Sequence, residues 1–234
     1  MKFFFFFLQI MDIFPYLQAN FKSYGMMKRI CFLLIICILT IHPVDAQKKR
    51  RPQTGTINGH EYVDLGLSVK WAPCNIGASS PTDYGDYYAW GELQPKNKYY
   101  EKNCLTYKKS MYKISCNKKY DAARANWGGS WRLPSKKEIK ELVKKCKWEV
   151  VTRNGRKVYK VTGPNGNSIF FPTSGYRYGS LLYFQDEVGF IWGELSDRNN
   201  LYDSYCLKFS IFNNEIKPGW SYRHYGRNIR PVSR

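Results

Sequence analysis

The apolar residues of this chain fall into short stretches separated by glycine and asparagine, and this spacing limits the folds open to it. Short stretches rich in Val, Ile, Tyr, Phe and Trp favour β-strands, and an Asn-Gly pair between two of them favours a tight hairpin. We predict short strands between residues 57 and 71 and at 148–152, 158–162, 168–171, 190–192, 205–211 and 228–232, with a hairpin at Asn154 and Gly155. No period of about 20 to 50 residues repeats, so a solenoid or propeller is not expected.

Helical signals occur in two places. Asp121 can cap a short helix at 122–127 that ends at the glycine pair 128–129. Ser135 and Glu138 form the spacing of a capping box, in which each side chain satisfies a free amide at the helix start. The residues that follow repeat at helical spacing as one apolar stripe, with lysines mainly on the other faces: Ile139, Leu142, Val143 and Cys146. The sequence therefore predicts an α+β fold of small twisted antiparallel sheets with two helices.

Residues 76–119 are rich in Gly, Ser, Pro, Asn, Tyr and Lys and show little alternation, which predicts a long irregular loop region. Such loops often carry function, because connecting segments lie on the surface of a rigid scaffold. Apolar residues make up 44% of the chain, so it can bury a sizeable core. We predict a single domain over residues 56–234.

The N-terminal region has the pattern of a secretory signal. Met27 is followed by two basic residues, by the apolar run 30–41 and by small residues that end at Ala46. Cleavage is predicted before Gln47, since the apolar run is shorter than the roughly 20 residues that a transmembrane anchor needs. Residues 1–26 are then a dispensable extension or a mis-assigned start, 27–46 the signal peptide and 47–55 a basic flexible leader. The pattern predicts export to the periplasm, the outer surface or the medium.

The chain carries a formal net charge of +19. A summed positive field attracts polyanions whatever their chemistry, although a merely solvated basic surface is the alternative interpretation. Nucleic acid is the least expected partner of an exported protein. After cleavage no stable membrane span is expected.

Five cysteines follow the predicted cleavage site: Cys74, Cys104, Cys116, Cys146 and Cys206. Export permits disulfides, and the candidate pairs are Cys104 with Cys116 and Cys74 with Cys146, although the connectivity does not follow from sequence. No C-x-x-C pair occurs and the histidines are isolated, so no metal site is predicted. His60 and His224 are expected to be ordinary surface residues.

Four segments together resemble the Fib_succ_major (FISUMP) domain of exported gut Bacteroidetes proteins. They read VDLGLSVKWAPCNIGASSPTDYGDYYAWGE (63–92), DAARANWGGSWRLPSKKEIKELVKKCKW (121–148), VTGPNGNSIFFPTSGYR (161–177) and YGRNIRPV (225–232). The family is similar to C-type-lectin-like and sulfatase-modifying folds, so the resemblance implies a lectin-like mixed fold. The chain departs from the family's W-S-S pattern, since Gly193 and Glu194 follow Trp192. Within W-R-L-P, we interpret Arg132 as a structural residue that ties loop carbonyls or a carboxylate.

Catalytic patterns are not found. The tripeptides that bind calcium in C-type lectins do not occur, and Asp83, Asp86 and Glu92 are interpreted as turn caps rather than cation ligands. There is no G-x-S-x-G elbow and no phosphate-binding glycine loop. An oxidase of the sulfatase-modifying type would use paired C-terminal cysteines, whereas Cys206 stands alone there. We therefore expect no enzymatic activity and no cofactor.

A binding role is the remaining interpretation. Tyrosine and tryptophan supply rigid apolar area with a hydrogen-bonding tip, which suits glycan and protein ligands alike. The alternatives are that half or more of these rings are core residues, or that the protein has a structural or assembly role in the envelope. The candidate ligand-binding residues are Tyr176, Arg177, Tyr178, Tyr183, Tyr202, Trp220, Tyr222 and Arg223, in a loop series that also includes Tyr205 and Tyr225.

Overall fold

The computed structural model describes residues 54–234, so the predicted extension, signal peptide and most of the leader lie outside the described residues. The strands are β1 (Thr54–Ile57), β2 (His60–Val63), β3 (Lys70–Trp71), β4 (Lys147–Arg153), β5 (Arg156–Thr162), β6 (Ser168–Pro172), β7 (Tyr176–Tyr178), β8 (Leu181–Tyr183), β9 (Val188–Ser196), β10 (Asp203–Ser210), β11 (Glu215–Tyr222) and β12 (Val232–Ser233). The helices are α1 (Ala122–Trp127) and α2 (Lys136–Lys145), and a 3-10 helix spans Glu101–Asn103. The predicted α+β class is confirmed.

The strands form several small antiparallel sheets. Their orders are β1-β2-β3-β12, β11-β10-β9, β4-β5-β6 and β7-β8. The β4–β5 hairpin turns at Asn154 and Gly155, whose φ angles of 50° and 74° are those that the Asn-Gly pair predicts for a two-residue turn. The other predicted strands between 148 and 211 are also present, with boundaries shifted by a few residues.

The prediction of a strand over 228–232 is largely wrong. Only Val232–Ser233 is a strand, because the preceding segment bonds to a different neighbour at nearly every step. The amide of Arg227 donates to the Tyr88 carbonyl, and the carbonyl of Asn228 accepts from Trp192. Alternating partners cannot form a continuous ladder, so this segment joins sheets and loops instead of extending one of them.

Both predicted helices are confirmed, with their caps. The Asp121 carboxylate accepts from the amide of Arg124, and α1 ends at Gly128 with a φ of 65°. At the start of α2, the Ser135 hydroxyl accepts from the amide of Glu138, whose carboxylate accepts from the Ser135 amide in return. Ile139 and Leu142 of the apolar stripe are buried. These local hydrogen bonds explain why each helix begins where the sequence predicts.

The long loop region is anchored by indole hydrogen bonds to β9. Trp90 and Trp192 are both fully buried. The Trp90 Nε1 donates to the carbonyl of Gly193 at 3.0 Å, and the Trp192 Nε1 donates to the carbonyl of Tyr88 at 2.7 Å. The loops of residues 76–119 therefore form a fixed layer over the sheet, and this layer builds one wall of the site described below.

Candidate functional site

A cleft lined mainly by tyrosines lies where the long loop region meets the ends of β7 and β11. Its volume is about 390 Å³, within the usual range of roughly 300–1,000 Å³ for small-ligand sites. We call it the tyrosine cleft. Its lining residues are Glu101, Tyr107, Lys108, Tyr178, Tyr202, Tyr222, His224 and Tyr225.

Backbone hydrogen bonds hold the separate segments of the cleft together. The amide of Arg223 donates to the Tyr202 carbonyl at 2.8 Å, which joins the end of β11 to the loop before β10. Tyr99 and Gly179 exchange two hydrogen bonds at 2.9 Å, which join the loop region to the turn after β7. Gly179 has a φ of 57° and lies against the ring of Tyr100, so a side chain would not fit there. The cleft is thus built on fixed backbone.

The rings of the cleft pack around the imidazole of His224. The Tyr222 ring stacks on it with centroids 5.5 Å apart and planes 17° apart. Tyr225 meets it edge-on at 4.7 Å, and Tyr107 does so at 5.6 Å. The Tyr178 ring lies tilted at 5.8 Å. Aromatic pairs at these separations are favourable, so the cluster holds the tyrosines in defined orientations.

Two tyrosines leave much of their surface open to a ligand. Tyr222 is 49% exposed and Tyr202 is 40% exposed. The Lys108 ammonium lies 5.7 Å from the centre of the Tyr202 ring and 5.9 Å from that of Tyr107, at the mouth of the cleft. The cleft therefore offers ring faces, phenolic hydroxyls and one cation to a bound molecule.

His224 is not the surface residue that the sequence predicted, because only 3% of it is exposed. Its Nε2 lies 3.3 Å from Oε1 of Glu101, and its Nδ1 has no hydrogen-bond partner among the described residues. Burial lowers the pKa of His224, and the nearby Glu101 carboxylate only partly opposes that effect. The imidazole is therefore neutral at pH 7.

Acidification is expected to destabilise the protein through His224. Because its pKa is lower in the folded state, the unfolded chain takes up the proton first as pH falls below about 6.5. The free energy of unfolding then decreases with falling pH and levels off once the folded imidazole is also protonated. Urea unfolding should show that the free energy of unfolding falls less from pH 7.5 to pH 5 for His224→Gln than for the parent. His60→Gln measures the contribution of the other described histidine. An equal fall in the free energy of unfolding for the parent and His224→Gln would contradict this assignment.

Apart from Arg223, the sequence-predicted residues divide into three groups. Tyr178, Tyr202 and Tyr222 line the cleft, as does Tyr225 of the same loop series. A second group lies behind it and supports its rings. Tyr176 stacks on Tyr225 at 5.0 Å and on Tyr183 at 5.5 Å, while the guanidinium of Arg177 covers the ring of Tyr87 at 5.1 Å.

Trp220 and Tyr205 form the third group, next to α2. Trp220 is 42% exposed, whereas Tyr205 is buried. The two rings meet edge-on at 5.2 Å across the β10–β11 pair. Trp220 lies two residues before Tyr222 on the same strand, so both point to the same face of the sheet. Trp220 is not a lining residue of the tyrosine cleft, although it lies on the same strand as the lining residue Tyr222.

Arg223, one of the candidate ligand-binding residues, is fully buried in this structure. Its Nη1 donates to the carbonyls of Thr106 and Lys109 at 3.0 and 2.8 Å, and its Nε donates to the Asp203 carbonyl. The guanidinium lies 4.9 Å from the ring centre of Trp90. Arg223 thus fixes the loop that carries Tyr107 and Lys108, and it acts on the cleft from behind.

Three lining residues were missed by the sequence reasoning: Glu101, Tyr107 and Lys108. All three lie in the irregular region 76–119, which the sequence marked only as a loop region. Residue type alone did not distinguish them from their neighbours, because that region contains many Lys and Tyr residues. Their roles depend on contacts with residues more than 90 positions away along the chain, namely Tyr202 and His224.

All five cysteines among the described residues are free, so the structure forms neither of the predicted disulfides. Cys104 is buried beside Tyr99, whereas Cys116 is exposed. Cys146 packs against the core that contains Ile139 and Leu142, and Cys74 is partly buried close enough to Arg230 to be affected by its charge.

The acidic residues of the early loop make local contacts. Asp83 accepts from the amide of Ser80 at 2.8 Å, which confirms its interpretation as a turn cap. Glu92 is buried and accepts from the Lys96 ammonium and the Leu105 amide, both at 2.9 Å. Among residues 54–234, no group of three or more His, Cys, Asp and Glu residues is placed to hold a metal ion. Within the same range of residues, neither α1 nor α2 is long and apolar enough to cross a membrane.

Comparison with protein-family models, with curated proteins and with solved structures finds no match for this chain.

Proposed function

We propose that this protein is a non-catalytic glycan-binding module and that the tyrosine cleft is its binding site. The observation that carries the proposal is the packing of five tyrosine rings around one open cleft of about 390 Å³. Aromatic rings cover the apolar faces of sugars, while phenolic hydroxyls bond to sugar hydroxyls at the ring edges. Tyr222 and Tyr202 are the exposed rings best placed to do so.

The polar groups of the cleft complement a neutral sugar. Glu101 is an acceptor and Lys108 a donor, and both stand beside exposed ring faces. Small-ligand sites usually combine apolar walls with a few polar groups that fix orientation. Fixed rings also reduce the entropy lost on binding, since they are already held in place by packing around His224.

The chemistry of the cleft favours binding over catalysis. Among its eight lining residues there is no serine or cysteine to act as a nucleophile. Cys206, the cysteine that an oxidase of the sulfatase-modifying type would need, is buried, and burial raises the pKa of its thiol. A reactive cysteine needs the opposite, namely a lowered pKa and access to solvent.

The wider setting is part of the same proposal. The signal-like segment 27–46 and the resemblance to the Fib_succ_major domain support an exported module with a lectin-like fold. The small antiparallel sheets and the long loop layer are compatible with that fold. Display outside the cytoplasm would bring the cleft into contact with host or bacterial glycans.

The cleft is tested by screening the purified protein on arrays of neutral host and bacterial glycans at low and raised salt. A selective hit should resist salt, because stacking and neutral hydrogen bonds are not screened. With that glycan, Tyr222→Ala and Tyr178→Ala should each weaken binding by about 1–3 kcal/mol, measured by calorimetry. Tyr222→Phe, which keeps the ring and removes the hydroxyl, should lose less binding free energy than Tyr222→Ala.

Phe212→Ala is the matched control, because Phe212 is the most exposed large apolar residue in residues 54–234 and lies outside the cleft. It should bind the glycan as the parent does. If the cleft variants also bind as the parent does while remaining folded, the cleft is not the site. If no glycan binds and a protein ligand does so through the same tyrosines, the glycan assignment is wrong.

A further inference from the structure

A second depression, larger than the tyrosine cleft, lies along the first turns of α2. Its volume is about 890 Å³. We call it the basic groove, because seven of its lining residues are lysine or arginine. The basic residues are Lys113, Arg124, Arg132, Lys136, Lys137, Lys140 and Arg234.

Most of this positive charge is not neutralised within the described residues. Two carboxylate side chains line the groove, Glu138 and Glu194. Glu138 pairs with Arg132 at 2.6 Å, and Glu194 lies 3.6 Å from the Lys113 ammonium. The other five basic residues have no carboxylate within 4.0 Å among residues 54–234. A concave surface lined by one sign of charge concentrates ligands of the opposite sign.

An exposed indole lies next to this row of cations. The Lys136 ammonium is 5.3 Å from the ring centre of Trp220 and 5.2 Å from that of Tyr205. Trp220 keeps 42% of its surface exposed, so part of the ring is free to meet a ligand. Lys137 and Lys140 are exposed on the same helix, at the spacing that places neighbours on one helix face. The groove thus combines an aromatic surface with several adjacent ammonium groups.

We propose that the basic groove binds an acidic polysaccharide, with Lys136, Lys137 and Lys140 pairing with its carboxylate or sulfate groups and Trp220 stacking on a sugar ring. Single-stranded nucleic acid would instead require several successive aromatic platforms. Tyr112 lines the groove and is 44% exposed, and the guanidinium of Arg198 lies over its ring at 3.8 Å. Trp220 beside the groove and Tyr112 in its lining are two separate exposed rings, each with a cation over one face, and not a succession of platforms. This arrangement suits a polymer held mainly by charge, with stacking on the Trp220 ring. This site does not depend on the function proposed for the tyrosine cleft.

The test compares two triple variants with the same change in charge. Lys136→Gln, Lys137→Gln and Lys140→Gln together remove charge from the groove. Lys98→Gln, Lys157→Gln and Lys217→Gln together remove it from exposed lysines elsewhere. The probes are heparin, polygalacturonate, neutral dextran and a single-stranded oligothymidylate, measured by calorimetry over a range of salt concentrations.

The groove variant should bind heparin and polygalacturonate about tenfold or more weakly at low salt, and its affinity should depend less steeply on salt. The control variant should stay close to the parent, and dextran should not bind the groove. Trp220→Ala should weaken polygalacturonate binding at high salt, where the charge contribution is screened. Tyr222→Ala should leave binding to the acidic polymers in place, which separates this site from the tyrosine cleft.

Equal weakening by the two triple variants would overturn the proposal, because it would show attraction to the overall charge alone. Groove-dependent binding of oligothymidylate that is tighter than that of either acidic polysaccharide would also overturn it in favour of nucleic acid. Retained thermal unfolding midpoints would show that both triple variants are folded.

Discussion

Replacing Arg230 by methionine is expected to destabilise the protein by about 3–5 kcal/mol, since this buried cation holds several acceptors at once. Arg230 is fully buried. Its donors reach the carbonyls of Ala72, Pro73 and Phe170 at 3.1, 2.7 and 2.9 Å and the amide oxygen of Asn75 at 2.8 Å. Methionine would leave these acceptors buried without partners.

The environment of Arg230 explains why replacing it should be costly. The guanidinium lies 4.3 Å from the ring centre of Phe171, so it is packed as well as bonded. Burial lowers the pKa of Arg230, because removing the guanidinium from water disfavours its charged form. Lysine has a single ammonium without the planar fork, so Arg230→Lys should also be destabilising, although less so. Typical stabilities are about 5–15 kcal/mol, so the methionine variant should lose a large share of its stability.

Denaturant unfolding of parent and Arg230→Met gives the difference directly. Arg153→Met is the matched control, because the guanidinium of Arg153 also lies over an aromatic ring, that of Phe170 at 4.2 Å, but is exposed on the β4–β5 hairpin. The control should change stability by less than about 1 kcal/mol. If Arg230→Met behaves like the control, the segment after β11 is not held in place by this residue.

The second large effect is expected at the pair formed by Arg132 and Glu138. Arg132→Met should cost about 3–5 kcal/mol at neutral pH, because it leaves the Glu138 carboxylate buried without its partner. Two guanidinium donors reach the two carboxylate oxygens at 2.8 and 2.6 Å, and both residues are buried. Glu138 also accepts from the amide of Ser135, so the pair and the helix cap share one carboxylate.

The pH dependence of this pair has a definite sign. Burial alone raises the pKa of Glu138, but the hydrogen bonds from Arg132 and Ser135 outweigh it and leave the pKa below its ordinary value. The unfolded chain therefore binds the proton first as pH falls. The stabilisation is fully present above about pH 4.5 and is lost as pH falls through the folded pKa.

A double-mutant cycle with Arg132→Met and Glu138→Gln measures the coupling between them. The double variant should lose less free energy of unfolding than the two single variants lose in sum. The destabilisation caused by Arg132→Met should also be smaller at pH 3 than at pH 7. Lys145→Met breaks the pair of Lys145 with Glu141, where the lysine is exposed, and should change stability by about 0.5 kcal/mol or less. Additive losses at pH 7 would contradict the assignment.

Sequence reasoning succeeded where a few adjacent residues decide the outcome. The Ser135–Glu138 box, the Asp121 cap and the Asn154–Gly155 turn each satisfy backbone groups within a few positions, so their signals lie in one short segment. It failed at β11, which was not predicted as a strand although it pairs along its whole length with β10. Pro218 and Gly219 interrupt the strand pattern there, and both are tolerated because β11 is an edge strand.

The candidate site was predictable in composition but not in arrangement. Tyr178, Tyr202 and Tyr222 were identified because exposed tyrosines suit binding surfaces, and they do line one cleft. Arg223 and His224 lie in the same loop series, and their residue types suggested the surface. Both are buried instead, because the segment with Glu101 and Tyr107 folds over them.

The sequence by itself determined the local elements and the residue types of this protein: capped helices, tight hairpins, an excess of positive charge and an abundance of tyrosine. Only the tertiary structure decided which of those residues meet. The tyrosine cleft joins segments about 100 positions apart, and the basic groove gathers cations from the loop before α1, from α2 and from Arg234. The physical reason is that capping and turn formation are set by neighbours along the chain, whereas burial is set by long-range packing.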